Sequence, residues 1–262
     1  MSGRVRVRFR SRTRDFPIDL FTVFLLALLT AAATSLGALP FLWVPNPGRY
    51  WLGYGSAAAA GLMLAASGQL VYEGWQQSPS RLGAGLVAGL LFIAACRWLL
   101  DRFNSVRIGD LRGADARRSL LIVGAMTVHS VAEGVGIGVS FGGGAELGLF
   151  ISLAIAVHNI PEGLAISLVL VPRGVSVWKA AAWSFFSSVP QPLLAVPAFL
   201  FVLQFQEFLA AGFGFAAGAM GWMVVRELIP EARKETGSTW RPLGVAAAAA
   251  LVLGVLQVLL RG

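Results

Sequence analysis

Residues 119–141 read SLLIVGAMTVHSVAEGVGIGVSF and residues 146–171 read ELGLFISLAIAVHNIPEGLAISLVLV. Each stretch reaches the roughly 20 apolar residues that an α-helix needs to cross the hydrocarbon core of a bilayer. Because lipid cannot satisfy open backbone groups, continuous apolar runs of this length predict membrane helices rather than barrel strands. Only residues 142–145 join the two stretches, and a connection this short predicts antiparallel neighbours.

Six further apolar runs flank this pair, separated by Pro, Gly and charged residues. They lie at about 18–44, 51–74, 81–100, 176–203, 207–230 and 241–260. The whole chain of 262 residues is 56% hydrophobic and only 13% charged, which is outside the usual composition of soluble domains. We therefore predict an all-α membrane protein, with eight transmembrane helices in a compact bundle that forms one domain over residues 16–262.

Residues 1–15 form a basic N-terminal arm with an arginine at every second position from Arg4 to Arg14. The arm resembles the start of a signal peptide, but the following run is longer than the 7–15 apolar residues of a typical signal sequence. A retained first helix is favoured, and the alanines at 31–33 leave cleavage open. The single cysteine, Cys96, excludes an intrachain disulfide or a thiolate metal site.

The net charge of +8 is distributed at the ends of the apolar runs. That placement suits lipid head groups and predicts contact with a bilayer, not with nucleic acid. Fewer Lys and Arg residues lie on the face that carries the termini than on the face that carries the 101–118 link. The positive-inside rule then favours external termini in a multi-pass cell membrane protein, of the bacterial inner-membrane type, although the basic arm argues the other way.

Both histidines of the chain lie within apolar runs, and each precedes a glutamate by four residues: His129 with Glu133, and His158 with Glu162. Four residues return a helix to the same face, so each couple places an imidazole beside a carboxylate, and Asn159 can join the second face. An ionised side chain at mid-membrane costs at least about 2.5 kcal/mol. Two such couples indicate a shared site rather than two separate internal hydrogen bonds.

A divalent cation neutralises two carboxylates, and neutral imidazoles complete its ligand set. Nitrogen and oxygen donors suit Zn²⁺, and also Fe²⁺, Mn²⁺, Co²⁺, Ni²⁺ or Cd²⁺, better than Cu⁺, Ca²⁺ or Mg²⁺. Pro161 lies between His158 and Glu162 and removes one backbone donor, which predicts a helix bent around the site.

These motifs resemble the ZIP (Zrt/Irt-like) family of metal transporters, especially its bacterial, GufA-like members. The resemblance is carried by HSVAEG at 129–134 and HNIPEG at 158–163, which are similar to the paired motifs of the family's fourth and fifth helices. Weaker support comes from TSLGALP at 34–40, GLMLAAS at 61–67 and GAMGWMVVRELIPEA at 218–232. Together these segments cover nearly all eight runs.

The resemblance implies transport of a divalent transition metal, Zn²⁺ foremost, by alternating access through a site between helices four and five, both kinked around it. It implies no enzymatic activity, no cofactor beyond the transported metal, external termini and a homodimer. It assigns metal ligation to a histidine, glutamate and asparagine set: His129, Glu133, His158, Asn159 and Glu162. Met63 of the second helix is implied as an auxiliary soft contact.

Two residues depart from the family pattern. Ser130 stands where asparagine is frequent, and Gln191 stands where many members have a sixth-helix glutamate. Both remain auxiliary site residues, but the missing carboxylate favours one bound metal over two. Glu227 and Glu231, near the end of the seventh run, are explained equally well as part of a metal relay and as solvated groups paired with neighbouring arginines.

Two other functions stay open on the residues alone. An intramembrane metal-dependent hydrolase could use the same His and Glu side chains around a metal-bound water, although HExxH and a further catalytic constellation are missing. A membrane receptor could bind the metal without moving it. The sequence leaves open the physiological metal, the energy coupling and the choice between carrier and channel.

Overall fold

The computed structural model describes residues 19–44, 48–102 and 113–261, and every regular element in these ranges is helical. The predicted arm at 1–15 lies outside the described residues. The α-helices in these ranges are α1 (Leu20–Leu36), α2 (Arg49–Gln77), α3 (Pro79–Arg102), α4 (Gly113–Gly143), α5 (Ala145–Leu170), α6 (Val177–Ser188), α7 (Pro190–Gln204), α8 (Leu209–Met223), α9 (Ile229–Thr236) and α10 (Trp240–Arg261). Short 3₁₀ turns follow α1, α5 and α7.

Five helical stretches of the described chain are long and apolar enough to cross a membrane. They are Leu20–Leu42, Pro79–Leu99, Ala145–Arg173, Val177–Gln204 and Gln206–Thr236. The remaining predicted runs are helical as well, as α2, α4 and α10. The all-helical prediction is therefore confirmed for the described residues, and the short connection between α4 and α5 is a single residue, Gly144.

The sixth and seventh runs are each divided, where one uninterrupted helix was predicted. Val189 separates α6 from α7, because Pro190 has no amide hydrogen to continue the helical ladder. A π-helical turn (Val224–Leu228) separates α8 from α9, which has Pro230 as its second residue. Helical structure then continues to Thr236, beyond the predicted end at residue 230. In contrast, α5 continues on both sides of Pro161, and its bend stays a prediction.

The surface is apolar and many polar groups are inside, the reverse of a soluble protein. Large apolar side chains such as Leu29, Leu91, Leu193 and Leu251 are more than half exposed. Buried polar side chains include serines, threonines, Gln191 and both histidines. An apolar shell of this kind is compatible with the hydrocarbon core of a bilayer, which offers polar groups no hydrogen-bond partners.

Close helix contacts position the interior polar groups. The α4 helix packs against α5, α7 and α8, while α5 also packs against α1. A Cβ atom at Gly134 would lie 2.7 Å from the backbone oxygen of Gln191, and one at Gly138 would overlap the carbonyl of Ala195. Glycine therefore lets α4 and α7 approach closely. This contact brings the Gln191 backbone beside the helix that carries Glu133.

Candidate metal centre

Two adjacent helices supply the four central side chains. His129 and Glu133 lie on α4, and His158 and Glu162 lie on α5. All four are at most 3% exposed. Buried ionisable groups need partners, because a lone charge away from water is strongly disfavoured.

The structure brings the two couples together across the α4–α5 contact. Nε2 of His158 lies 3.0 Å from Oε1 of Glu162 on its own helix and 3.2 Å from Oε1 of Glu133 on α4. A second contact joins the histidine of α4 to the glutamate of α5: Nδ1 of His129 lies 3.7 Å from Oε1 of Glu162. The couples thus share one polar interior instead of each forming a separate pair.

Three of these side chains lie close enough together to hold one metal ion. One ligand atom each from Glu133, His158 and Glu162 can be chosen so that all lie within 4.8 Å of one another. Imidazole nitrogen and carboxylate oxygen are common zinc ligands, and three protein ligands with a further open position describe many sites that exchange a ligand. His129 lies at the edge of this trio, between Glu162 and Glu227.

Several buried atoms of the predicted site residues lack a hydrogen-bond partner among the described residues. They include Oε1 of Glu133, Oε2 of Glu162, Nδ1 of His158, Oδ1 of Asn159 and Oγ of Ser130. Oε1 of Glu133 lies 3.2 Å from Nε2 of His158, but the hydrogen bond of that nitrogen is the 3.0 Å contact with Oε1 of Glu162. Buried acceptors without donors are uncommon in native proteins. A cation bound by Glu133, His158 and Glu162 would supply a partner for the unpaired carboxylate oxygens.

Gln191 of α7 holds one side of the centre. Its Nε2 donates to Oε2 of Glu133 at 2.7 Å. Its Oε1 accepts from Oγ1 of Thr30 at 2.7 Å and from Nδ2 of Asn159 at 3.1 Å. Two donors at Oε1 fix the orientation of the amide, so its NH₂ group faces the carboxylate.

The side-chain nitrogen of Asn159 donates hydrogen bonds, whereas its side-chain oxygen has no hydrogen-bond partner among the described residues. Besides Gln191, Nδ2 donates to the backbone oxygen of Thr30 on α1 at 2.7 Å. This leaves Oδ1 as the atom that could contact a metal. Met63 is a buried member of the hydrophobic core on α2, and its contact with the centre stays a prediction.

Sequence reasoning missed Thr30 and left the role of Glu227 undecided. Thr30 and Thr34 are buried on α1, and polar residues four apart in an apolar run were a usable signal. Glu227, left open above, places Oε2 3.1 Å from Nε2 of His129. Its other oxygen, Oε1, lies 3.1 Å from Nε of Arg97 on α3, so its arginine partner comes from another helix.

The described part of the chain is all-helical, with an apolar shell and a buried cluster of imidazole and carboxylate groups. These features define a multi-pass membrane protein with a site suited to a transition metal. The family model described as ZIP zinc transporter matches residues 109–261. This match covers more than half of the chain and includes both His–Glu couples. The chain belongs to the ZIP zinc transporter family.

Individual relatives agree with the family match. A protein of Arabidopsis thaliana, named provisionally as a zinc transporter, is 48% identical over 92% of this chain. The chain spans only 39% of that relative's length. Zinc transporter GufA of Myxococcus xanthus is 32% identical over 79% of this chain and 87% of its own length, and zinc transporter ZupT of Chlorobium limicola is 30% identical over 82% and 90%.

Proposed function

We propose that this chain carries divalent transition-metal ions, Zn²⁺ foremost, across a cell membrane by alternating access. The observation that carries this proposal is the cluster of Glu133, His158 and Glu162, whose ligand atoms lie within 4.8 Å of one another inside an apolar shell. Family membership and the zinc transporters among its relatives support transport over hydrolysis. The metal is the cargo, and no further cofactor is required.

The ligands of the proposal are His129, Glu133, His158, Asn159 and Glu162, with Met63, Ser130 and Gln191 as auxiliary groups. Two carboxylates balance one dication, while neutral amide and hydroxyl groups bind it only weakly. Transport needs such moderate binding, because the ion must leave the site again. The Gln191 amide occupies the second oxygen of Glu133, which favours one metal ion at the centre.

The proposed architecture has eight crossings. These are α1, α2, α3, α4, α5, the α6–α7 pair, the α8–α9 pair and α10. With the larger Lys and Arg count in the cytoplasm, the termini are external, as in a multi-pass protein of a bacterial inner membrane. The active form is a homodimer, and α4 and α5 bend around the centre. Labelling of cysteines placed at Ser2 and Glu146 in intact cells tests the orientation, since both positions are predicted to be external.

Uptake of ⁶⁵Zn²⁺ by sealed liposomes tests the transport proposal. Glu162→Ala or His158→Ala should abolish uptake, because each removes a ligand from the trio, and Gln191→Ala should reduce it less. Glu146→Ala is the matched control, since Glu146 is an exposed glutamate at the start of the same helix. Size-exclusion profiles should show that all variants remain folded.

The outcomes separate the remaining functions. Full uptake by the His158→Ala variant would remove the role assigned to that residue. Saturable Zn²⁺ binding without accumulation in liposomes would favour the receptor alternative. Accumulation of Zn²⁺ in liposomes without any added cleavable substrate would show that ion movement does not depend on hydrolysis.

A further inference from the structure

Arg97 is a charged residue inside the apolar stretch Pro79–Leu99 of α3. Its side chain is 39% exposed, whereas Glu227, the partner beside it, is 15% exposed and His129 is 2% exposed. A guanidinium in such a run needs a counter-charge, and Oε1 of Glu227 supplies it at 3.1 Å from Nε. The contact links a partly exposed cation to the edge of the metal centre.

Close packing of α3 on α8 determines this contact. Cβ atoms at Gly85 and Gly89 would overlap the carbonyl oxygens of Ala211 and Phe215, respectively. Both contacts advance in the same direction by four residues, so the two helices are parallel and in fixed register. Continuing this register toward their C-terminal ends places Arg97 opposite Met223, one residue before the π-helical turn that contains Glu227.

The carboxylate of Glu227 lies between Arg97, which is a permanent cation, and His129, which is a candidate metal ligand. Oε1 lies 3.1 Å from Nε of Arg97 as an ion pair without a hydrogen bond of good geometry, and Oε2 lies 3.1 Å from Nε2 of His129. Although close to Glu227, the buried Nε2 of His129 has no hydrogen bond of good geometry among the described residues. A metal ion between His129 and Glu227 would find two ligand atoms there. Arginine itself cannot lose its proton in proteins and cannot bind a metal.

We propose that Arg97 is a positioning residue that holds Glu227 while no ion occupies it and competes with the transported cation for that carboxylate. A dication at Glu227 faces the guanidinium across one carboxylate, and like charges at this distance repel. Arg97 therefore lowers the affinity of this end of the pathway and speeds release of the ion. Under the proposed orientation this end faces the cytoplasm. The inference rests on the proposed transport function.

The chain contains a matched control at the opposite end of the same helix pair. Arg81 donates from Nη1 to the backbone oxygen of Glu207 at 2.7 Å and lies 3.3 Å from its carboxylate. Both side chains are at least half exposed, so this pair resembles a surface ion pair of small energetic effect. Arg81→Gln removes the same charge from the same helix without touching the metal centre.

Zn²⁺ uptake in liposomes and Zn²⁺ binding to the purified full chain test the inference together. Arg97→Gln should lower KM several-fold and tighten binding, while the maximal rate falls because the ion leaves Glu227 more slowly. Arg97→Lys should restore both parameters toward the wild type, and Arg81→Gln should match the wild type. A purely structural role of Arg97 would reduce folded protein without this split between KM and maximal rate.

Glu227→Gln supplies a second test that does not depend on the stability of the Arg97 variant. It should raise KM, because the ion loses a carboxylate, and adding Arg97→Gln should change KM no further. Unchanged or raised KM in Arg97→Gln, an equal effect of Arg81→Gln, or unchanged KM in Glu227→Gln would overturn the inference. If wild-type liposomes take up no Zn²⁺, transport fails as a function, and the binding data still decide the competition.

Discussion

Replacing Gln191 by glutamate changes the charge of the centre with almost no change of shape. Nε2 of Gln191 lies 2.7 Å from Oε2 of Glu133, so an ionised carboxylate at position 191 would place two negative charges at about this separation. Their repulsion is about 6 kcal/mol at an effective dielectric constant of about 20. A shared proton or a second cation must relieve it.

We expect the Gln191→Glu variant to bind two Zn²⁺ ions per chain at saturating metal, where the wild type binds one. In the metal-free variant, a protonated glutamate can donate to Glu133 and accept from Thr30 as the amide does, so folding should be preserved. Elemental analysis of the purified protein measures the stoichiometry, and calorimetry measures both affinities.

Gln204→Glu is the control for this experiment, because Gln204 lies at the exposed end of the same helix, α7. It should leave the stoichiometry at one ion per chain. Two ions in the wild type, or a single ion bound with unchanged affinity by Gln191→Glu, would refute the assignment of Gln191 as the group that limits the centre to one metal.

Two further predictions address the hydrogen bonds and the ligand set. Thr30→Val keeps the side-chain shape but removes a hydroxyl that lies 2.7 Å from Oε1 of Gln191 and 2.7 Å from the backbone oxygen of Ala27. Because Gln191 then loses a donor, uptake should fall about 2- to 10-fold, as expected for about 0.5–1.5 kcal/mol. Thr127→Val, which loses only a bond to its own helix, should not reproduce this loss. Zn²⁺ at 100 times its Kd should stabilise the purified protein by about 2.7 kcal/mol over its chelator-treated form, as measured by thermal unfolding. The same stabilisation in Glu162→Ala would contradict the role of that carboxylate.

The local part of the centre was predictable because it depends on the geometry of single helices. A spacing of four residues is enough to place His129 beside Glu133 and His158 beside Glu162. The apolar runs likewise predicted helices, since lipid permits few other structures. The divisions at Val189 and in the Val224–Leu228 turn were less visible, because proline locates an interruption but does not specify its form.

The remainder depends on which helices are neighbours, and hydrophobic runs carry little information about that. Thr30 is 129 residues from Asn159 and 161 residues from Gln191, yet contacts both. Arg97 reaches Glu227 only because glycines bring α3 and α8 together. From the sequence, pairing with the nearest arginines explained Glu227 as well as a role in a metal relay did. In the structure, Arg226 lies over the ring of Trp222, and Arg97 is the arginine that contacts Glu227.

The charges of the connected groups explain why one dication suits this interior. Metal ligation requires neutral imidazoles, so His129 and His158 contribute no charge to the metal-bound centre. Glu133 and Glu162 then carry two negative charges, and the third carboxylate, Glu227, is already balanced by Arg97. A single Zn²⁺ neutralises the whole connected set. Loss of the guanidinium of Arg97 and gain of a carboxylate at position 191 both make the connected set more negative. Both changes should therefore favour retention of cations over their release.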